Sequence, residues 1–597
     1  MLNGRLYRAA FAPFLLALAL AAFSLGPRPL PLTSTLAPDA FEGQPAFAEL
    51  HLLAARFPDR RPGSPGDDAL AAYVAHALAG LGGTAGGGFS VRSAYSEGQT
   101  IAGKVQLRTV IAQRPGSTSA APILIVAHRD AASRGSEGEL SGTAALLELA
   151  RVFSARETKR TIVLVSTSGG SGGGAGAAAL PAQLHGPFDA AIVIGDLAAA
   201  HPREPVVVPF SDGLGSASLQ LQRTLSDAIT HQVGADPGAP SALGQLAHLT
   251  FPIAPGEEGL LNAAGLPAVL VQVSGERGPS TREKLSAEHL QSYGRAVLSA
   301  VDALDTAPDI SPAPQKSIVL QRQTLPEWAL RLLALTLLLP PFVAAVDGLA
   351  RLRRRRKPVG RWTLWTLSCS LPFLCCALFA LLLGKVGILG GIPSIPVLGS
   401  AMPFDGRAAT AVVSVLLTFA LAWLLWSVLI RRLGWEVAPD PDVAGLSLLL
   451  VLLPVALIVW VGNPFTSLLL VLAAHLWLLL ASPELRPRRL GALGLVAGSL
   501  LPLGLLIAFY AHQLGLGLGG VAWGALQLVA GGHVSLPGAL LWSITCGCAA
   551  GALLLALRPA PELIGGSSGE GGQGTIRGPL SYAGPGSLGG TESALRR

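Results

Sequence analysis

The chain has 597 residues, of which 50% are hydrophobic and only 13% are charged, and its formal net charge is +7 at pH 7. Soluble domains carry about 25% charged residues, so this composition argues against a wholly water-soluble protein. The apolar residues are collected in long uninterrupted runs, which are typical of membrane-spanning helices. The basic residues cluster beside those runs and form no basic domain, so we expect no nucleic-acid partner.

The first apolar run lies between Arg8 and Arg28. A basic flank followed by an apolar stretch fits either a signal peptide or an uncleaved anchor. The run ends in FSLGP, at 23–27, without a clear small-residue cleavage site. This ending favours a transmembrane anchor over residues 9–26, preceded by a cytoplasmic N-terminus over residues 1–8.

Seven further apolar runs fill residues 327–557. Each is close to the ~20 residues that a helix needs to cross the hydrocarbon core, so we predict a seven-span region there. The stretch 516–532 is apolar but rich in glycine, and we predict a loop or a half-helix for it. The predicted spans are 327–348, 362–388, 409–431, 443–462, 464–482, 490–511 and 536–557.

The orientation of these spans follows from the charges of the loops. The strongest basic cluster is RLRRRRK at 351–357, which should lie in the cytoplasm and attract anionic lipid of the bilayer. Eight spans with both termini in the cytoplasm place every other basic cluster on the same side. Residues ~30–325 then lie outside the cytoplasm. The other clusters are near Arg8, Arg432, Arg489 and Arg558.

Between the first two spans, residues 49–305 alternate short apolar runs with stretches of helical periodicity. This alternation predicts an α/β three-layer sandwich, an extracytoplasmic domain beside an all-α transmembrane bundle. The predicted strands are 122–127, 161–166, 190–194 and 267–273, and the clearest helices are 142–155 and 286–304.

The segments that flank this domain have a different composition. Residues 27–48 and 306–326 contain prolines and are predicted linkers. Residues 558–597 are dominated by glycine and serine, which predicts a disordered cytoplasmic tail. All five cysteines lie within predicted spans, so the outer domain has no disulfide framework.

Five stretches of the outer domain resemble, in the same order, the zinc aminopeptidases of metallopeptidase family twenty-eight. The resemblance implies a site in which two zinc ions share a bridging carboxylate and a water, with a glutamate as general base. The stretches are FPDRRPGS at 57–64, PILIVAHRD at 122–130, SGTAALLELA at 141–150, RTIVLV at 160–165 and AAGLPA at 263–268.

The resemblance carries three functional positions onto matching residues. His128 matches the first histidine ligand of one metal, and Asp196 matches an aspartate ligand of the other. Asp130 matches the carboxylate that orients the histidine ring. On this basis His128 and Asp196 are candidate metal ligands left from a complete site.

The other family positions have lost their chemistry. The bridging carboxylate falls on Gly138, and the paired glutamates, base and ligand, fall on Gly170 and Ser171. The last histidine falls near Pro279 or Ser280. Glycine and serine neither ligate as carboxylates do nor accept a proton at neutral pH, so we predict a degenerate metal site and no cofactor. The glycine-rich loop 168–174 is interpreted as a flexible rim where the glutamates would be.

Four glutamates keep an alternative open. Glu137 and Glu139 flank the lost bridge, so a shift of one residue in register would return a carboxylate, with Glu139 as the candidate ligand. Glu257 and Glu258 lie in a late segment that lines the pocket in the family. The ordinary interpretation of all four is exposed loop glutamates. For His128 and Asp130 it is a buried hydrogen-bonded pair.

Two hypotheses from different classes follow. The first is a membrane-anchored, non-catalytic module that binds peptides or membrane-protein partners outside the cytoplasm. The second is an active zinc-dependent metallopeptidase of aminopeptidase type with a rearranged site, and only this hypothesis requires zinc. The layout of one span, a peptidase-like domain and seven spans is similar to the attachment subunit of the eukaryotic glycosylphosphatidylinositol transamidase. The Ala-, Gly-, Leu- and Arg-rich composition looks bacterial.

Overall fold

The computed structural model describes residues 4–82, 88–311, 316–393, 397, 399, 401–434, 441–481 and 488–557. The predicted tail at 558–597 and the first three residues of the predicted N-terminus lie outside this part of the chain. The strands are β1 Gly26–Pro27, β2 Ser90–Thr100, β3 Gly103–Arg114, β4 Ile123–His128, β5 Ile162–Thr167, β6 Ala190–Ile194, β7 Val207–Val208, β8 Ala268–Val271, β9 Ile318–Val319 and β10 Gln323–Leu325.

The helices before the membrane bundle are α1 Gly4–Ala9, α2 Ala12–Phe23, α3 Gly43–Arg56, α4 Pro65–Gly80, α5 Leu140–Ser154, α6 Ala175–Gln183, α7 Leu219–Val233, α8 Ala242–Thr250, α9 Glu257–Ala263 and α10 Ala287–Thr306. Those of the bundle are α11 Glu327–Arg354, α12 Val359–Ser368, α13 Leu371–Val386, α14 Gly406–Arg432, α15 Pro441–Gly462, α16 Pro464–Leu480, α17 Arg489–Ser499, α18 Leu501–Gln513, α19 Leu518–Ala530 and α20 Leu536–Ala556.

A seven-stranded mixed sheet forms the centre of the α/β domain, in the order β2-β3-β5-β4-β6-β8-β7. Strands β4, β5, β6 and β8 run parallel, and the strands outside them join antiparallel. One face of β4, with Ile123 and Ile125, packs in the cluster that includes α3, α4, α5 and α10. The other face, with Leu124 and Val126, packs with α6 and α9. Burial on both faces explains the all-apolar sequence of these strands and gives the predicted three layers.

The four predicted core strands are present, with ends shifted by two residues at most. The β2–β3 hairpin was not predicted, because β2 alternates exposed and half-buried polar residues and carries no apolar run. The domain also starts earlier than predicted, since the boundary at residue 49 falls inside α3. The segments predicted as linkers contain β1, β9 and β10, which pair in a small sheet in the order β1-β10-β9. Strands of two or three residues leave no periodic signal in a sequence.

Six helices are long and apolar enough to cross a membrane, as judged by length and composition. The pair α17 and α18 passes the same test together but bends by 48° at the break, where Pro502 enters the first turn of α18. Helices α16 and α19 are shorter apolar helices, so the stretch predicted as a loop or half-helix contains a short helix. The six are Gly4–Phe23, Glu327–Arg354, Val359–Val386, Gly406–Arg432, Val443–Gly462 and Leu536–Ala556.

The α/β domain contacts the loops at one end of this bundle. The loop after α13 reaches the domain at Pro393, which packs on Gly173, and at Gly391, which lies against the turn between β2 and β3. The linker between α18 and α19 contacts the domain through Gly515, which lies against the guanidinium of Arg277. Both connections were predicted to lie on the same side of the membrane as the domain.

Candidate functional site

A small cavity of about 30 Å³ lies where the parallel strands end, at the edge of the sheet where α/β folds place their ligands. This volume holds one or two water molecules. The polar residues of its lining come from distant parts of the chain and are His128, Glu139, Ser171, Glu257, Glu258, Gln272 and Glu276. The cavity therefore brings together four of the residues that the sequence singled out, namely His128, Glu139, Glu257 and Glu258.

His128 is the last residue of β4, which delivers its ring to the cavity. Its Nε2 atom is buried and has no hydrogen-bond partner among the described residues. Burial lowers the pKa of the ring, an effect that the nearby Asp130 opposes and the guanidinium of Arg60 reinforces. His128 is thus a neutral imidazole at neutral pH, with one nitrogen directed at no protein group.

Asp130 bonds to the glycine-rich loop. Its carboxylate accepts hydrogen bonds from the backbone N–H of Gly170 (2.9 Å), from the N–H of Ser171 (3.2 Å) and from the Ser171 hydroxyl (2.5 Å). No hydrogen bond between Asp130 and His128 occurs in the described part of the chain, so the expected hydrogen-bonded pair is not formed. The carboxylate thus satisfies two backbone donors and one hydroxyl donor of this loop.

The loop from Ser168 to Gly174 is buried throughout, in contrast to the flexible rim that we predicted. It turns on itself, with the N–H groups of Gly172 and Gly174 both donating to the carbonyl of Gly169. A Cβ added to Gly170 would lie 2.4 Å from Cβ and 2.5 Å from Cγ of His128. Position 170, where the family has a glutamate, is therefore in contact with the histidine and has no space for a side chain.

Asp196 follows β6, and both of its carboxylate oxygens accept hydrogen bonds. It accepts hydrogen bonds from the hydroxyl of Ser141 (3.1 Å) and from the N–H groups of Ala198 (2.9 Å) and Ala199 (3.1 Å). Its second oxygen accepts a hydrogen bond from the Ser274 hydroxyl. Burial raises the pKa of Asp196 and these hydrogen bonds oppose the rise. Asp196 thus joins the start of α5 to the ends of β6 and β8.

Gly138, the position of the lost bridge, faces this aspartate. A Cβ added there would lie 4.0 Å from Oδ1 of Asp196 and 3.3 Å from Cβ of Pro279. Pro279 is one of the positions where the family's last histidine falls, and it lines the cavity. Gly138 and Pro279, two positions on which ligands of the family fall, therefore lie together beside Asp196, and neither residue can ligate.

The four glutamates were expected to be exposed loop residues, and this expectation is wrong for three of them. Glu139, Glu257 and Glu258 are buried, and only Glu137 is exposed. One oxygen of Glu139 accepts a hydrogen bond from the Ser136 hydroxyl (3.2 Å), and one of Glu257 accepts from the Thr167 hydroxyl (2.6 Å). The second oxygen of each, and both oxygens of Glu258, are buried without a partner among the described residues.

Burial dominates the ionisation of these carboxyl groups. It raises the pKa of Glu139 to about 8 and that of Glu257 to about 8, and it raises the pKa of Glu258 well above its ordinary value. The Ser136 and Thr167 hydroxyls lower the pKa of Glu139 and Glu257 in part. At neutral pH these side chains are therefore carboxylic acids and carry no charge.

Sequence analysis missed the buried pair of Glu276 and His248. Glu276 follows β8 by a few residues, and its Oε2 lies 3.1 Å from Nε2 of His248 on α8. Its other oxygen accepts a hydrogen bond from Gln513 of α18 (3.3 Å), and the Tyr510 hydroxyl lies 3.3 Å from Nδ1 of His248. A carboxylate shortly after a buried strand was the available signal for Glu276.

The residues present do not fit a zinc pair. No group of three or more His, Cys, Asp or Glu side chains in the described ranges is arranged to hold a metal ion. His128 contacts Gly170, and the glutamates that share its cavity are protonated, whereas metal ligands must be deprotonated. Asp196 accepts hydrogen bonds on both oxygens, so a metal would compete with them for its lone pairs.

Comparison with known proteins agrees with the fold. A family model described as Peptidase family M28 matches residues 109–243, from within β3 to the start of α8. No curated protein matches the chain. The domain with its mixed sheet therefore resembles the Peptidase family M28 fold over these residues.

Several solved structures are similar over slightly less than half of the chain. Glutaminyl cyclase of Porphyromonas gingivalis is 16% identical, with 45% of this chain and 99% of that chain covered and a TM-score of 0.32. LapB of Legionella pneumophila is 15% identical, with 48% and 79% covered and a TM-score of 0.38. The aminopeptidase of Aneurinibacillus sp. strain AM-1 is 13% identical, with 47% and 97% covered and a TM-score of 0.34.

Proposed function

We propose that the α/β domain is a non-catalytic member of the zinc-aminopeptidase fold that binds peptides or membrane-protein partners. The observation that carries the proposal is the contact between Gly170 and His128. The loop that should supply the general base is a buried glycine turn against the ring of His128. Any side chain at this position would displace the histidine.

The chemistry of the cavity supports the same conclusion. Hydrolysis by a metal-bound water requires ionised ligands and a base that accepts a proton near neutral pH. The pKa of Glu139 and of Glu257, both about 8, keeps these side chains protonated at pH 7. A cavity of about 30 Å³ also has no space for a peptide, so a partner would bind elsewhere on the domain surface.

The test uses the purified full-length protein in detergent or nanodiscs. We expect less than 0.1 zinc per chain after dialysis against micromolar zinc, and no turnover of aminoacyl-p-nitroanilides. We also expect unchanged cross-linking of a peptide or protein partner in His128→Ala. One zinc per chain that is lost in His128→Ala, together with aminopeptidase turnover, would overturn the proposal.

One observation favours the second candidate, an active metallopeptidase with a rearranged site. His128, Glu139, Glu257 and Glu258 all direct buried, unpartnered atoms at one cavity. If these groups bind zinc, binding must displace the protons of the glutamates and should therefore strengthen at least tenfold between pH 6.5 and 8.5. Glu257→Gln should abolish that binding, and Glu137→Gln, which changes an exposed neighbour of Glu139, should leave it intact.

We further propose that the domain lies outside the cytoplasm and both termini inside. Helix α11 starts beside β10 and runs for 28 residues, about 42 Å at 1.5 Å per residue, to the basic cluster at its end. Helix α14 likewise ends in Arg431 and Arg432. Membrane-impermeant maleimide should label Ser280→Cys in intact cells and Arg354→Cys only after lysis. The reverse pattern would contradict this topology.

A further inference from the structure

An apolar groove lies in the membrane bundle directly beside the α/β domain. It encloses about 420 Å³ between α13, α18, α19 and α20, and Phe251 and Ile253 of the domain close one end. Its lining is mostly aliphatic and aromatic, with side chains that include Phe373, Leu506, Ile507, Val521, Leu528 and Trp542. Such a groove accepts a hydrocarbon chain. A peptide backbone would leave its amides unsatisfied there.

A second cavity of about 510 Å³ adjoins the groove and shares Leu514 and Leu516 with it. It lies between the domain loop at 277–280 and the connections that precede α14 and α19. Arg203 and Arg277 line this cavity. The apolar groove therefore has, as its neighbour, a compartment that carries positive charge.

Arg277 is exposed and free to meet an anion, whereas Arg203 already forms one long ion pair. No carboxylate of the described residues lies within ion-pair distance of Arg277, and the nearest one to Arg203 is that of Glu283 at 3.9 Å. The first turn of α19 borders the same cavity, and its N-cap residue Gly517 supplies no side-chain cap. The first N–H groups of a helix add a favourable potential for negative charge.

We propose that the groove and the arginine cavity together bind one membrane phospholipid with an anionic headgroup. An acyl chain occupies the groove between α13, α18, α19 and α20, and the phosphate lies against Arg277 and Arg203. The connections at 399–404 and 514–520 end membrane helices, so the cavity lies at the depth of lipid headgroups. Charge complementarity and the shared wall of the two spaces favour an amphiphile over a free phosphate or a peptide.

The experiment compares full-length protein in nanodiscs of phosphatidylcholine alone and of phosphatidylcholine with phosphatidylglycerol, followed by native mass spectrometry of retained lipid. The wild-type protein should retain one phosphatidylglycerol per chain. Gly524→Leu should reduce retention at least tenfold, because Gly524 lines the groove and its added side chain would point into open space. Gly504→Leu, a helical glycine with open space outside the groove, is the matched control.

The double variant Arg277→Gln with Arg203→Gln tests whether these arginines select an anionic headgroup. This pair should retain phosphatidylcholine and phosphatidylglycerol equally, whereas Arg322→Gln, at an exposed arginine outside the cavity, should keep the preference. Both arginines lie at least partly exposed, so folding should survive, which size-exclusion chromatography checks. Equal retention of phosphatidylglycerol by the wild type and Gly524→Leu would overturn the proposal that the groove binds an acyl chain. A preference for phosphatidylglycerol that survives the double arginine change would overturn the headgroup site.

Discussion

At the scale of single residues, the geometry of the cavity depends on Gly170. This glycine allows the loop after β5 to approach His128 so closely that no side chain fits between them. Asp130 stabilises the arrangement by accepting the loop's N–H groups. The histidine and the loop are therefore packed against each other. The effects of mutations in the two on stability should be coupled.

Gly170→Ala should destabilise the domain by about 1–3 kcal/mol, the usual effect of overpacking a closed core. The new methyl group would overlap with Cβ and Cγ of His128. Chemical unfolding of the full-length protein measures the loss, with Gly82→Ala as control because a Cβ at Gly82 meets nothing within 4 Å. Adding His128→Gly, which removes both Cβ and Cγ, should recover part of the loss. Equal stability of Gly170→Ala and the wild type would show that the contact is not tight.

The buried glutamates predict a dependence of stability on pH. Their pKa of about 8 in the folded domain exceeds the ordinary value of 4.5, so between pH 7 and 8 the folded state holds protons that the unfolded chain has released. The free energy of unfolding should fall as pH rises through this window, by up to about 1.4 kcal/mol per pH unit for each group.

Glu139→Gln and Glu257→Gln should each flatten this dependence, because glutamine keeps the shape of the neutral acid and does not titrate. Glu137→Gln should not, since Glu137 is exposed. Urea unfolding of the full-length protein at half-unit steps from pH 7 to 8.5 measures the slopes. A slope that is flat in the wild type would show that both glutamates are ionised in the folded state.

At the scale of elements, the membrane bundle closes part of the α/β domain. Gly391, after α13, lies against the turn that joins β2 and β3, and Pro393 packs on the glycine-rich loop at Gly173. The glycine-rich loop also bonds to the turn between β2 and β3, because the N–H of Ile101 donates a hydrogen bond to the carbonyl of Gly172. A connection between membrane helices thus stabilises the wall of the cavity.

Gly391→Val should loosen this contact. A Cβ at Gly391 would lie 2.3 Å from the carbonyl oxygen of Thr100 and 2.2 Å from the nitrogen of Gly103, and backbone cannot yield as a side chain does. Hydrogen exchange should then accelerate in residues 98–103 and 168–176. Gly406→Val at the start of α14, where a Cβ meets open space, should leave exchange unchanged. Unaltered protection in Gly391→Val would mean that the contact contributes no stability.

At the scale of the whole molecule, α8 joins the domain to the bundle. The carbonyls at its end accept hydrogen bonds from membrane-helix side chains: Leu249 from Asn463 (2.8 Å), Thr250 from Thr466 (2.5 Å) and Phe251 from Tyr510 (2.7 Å). The last carbonyls of a helix have no hydrogen-bond donor within the helix. Side chains at the start of α16 and in α18 supply these donors to α8. The domain and the bundle should therefore stabilise one another.

Thr466→Val should weaken that coupling by about 1 kcal/mol, because it removes one hydroxyl donor and keeps the shape of the side chain. Thr466→Ser keeps the donor and should behave as the wild type. The thermal unfolding of the full-length protein in one detergent gives the comparison. Equal midpoints for the valine and serine variants would show that the hydrogen bond to Thr250 adds nothing to stability.

Residue identity and local pattern were sufficient for a large part of this description. Apolar runs of about 20 residues predicted the membrane helices, and all-apolar runs predicted β4, β5, β6 and β8, because burial on every side leaves a continuous signal. Short motifs also predicted that the family's carboxylate positions fall on residues 138, 170 and 171, which are glycine and serine in this chain.

Long-range packing determined the rest. Glu139, Glu257 and Glu276 are far apart in sequence, and only the sheet edge brings them to one cavity with His128. Burial, which raises the pKa of Glu139 and Glu257 to about 8, depends on neighbours that no local period reveals. The sequence by itself thus determined the apolar runs and which residue types stand at the matched positions. The tertiary structure decided that position 170 has no space for a side chain, because the glycine turn packs against His128.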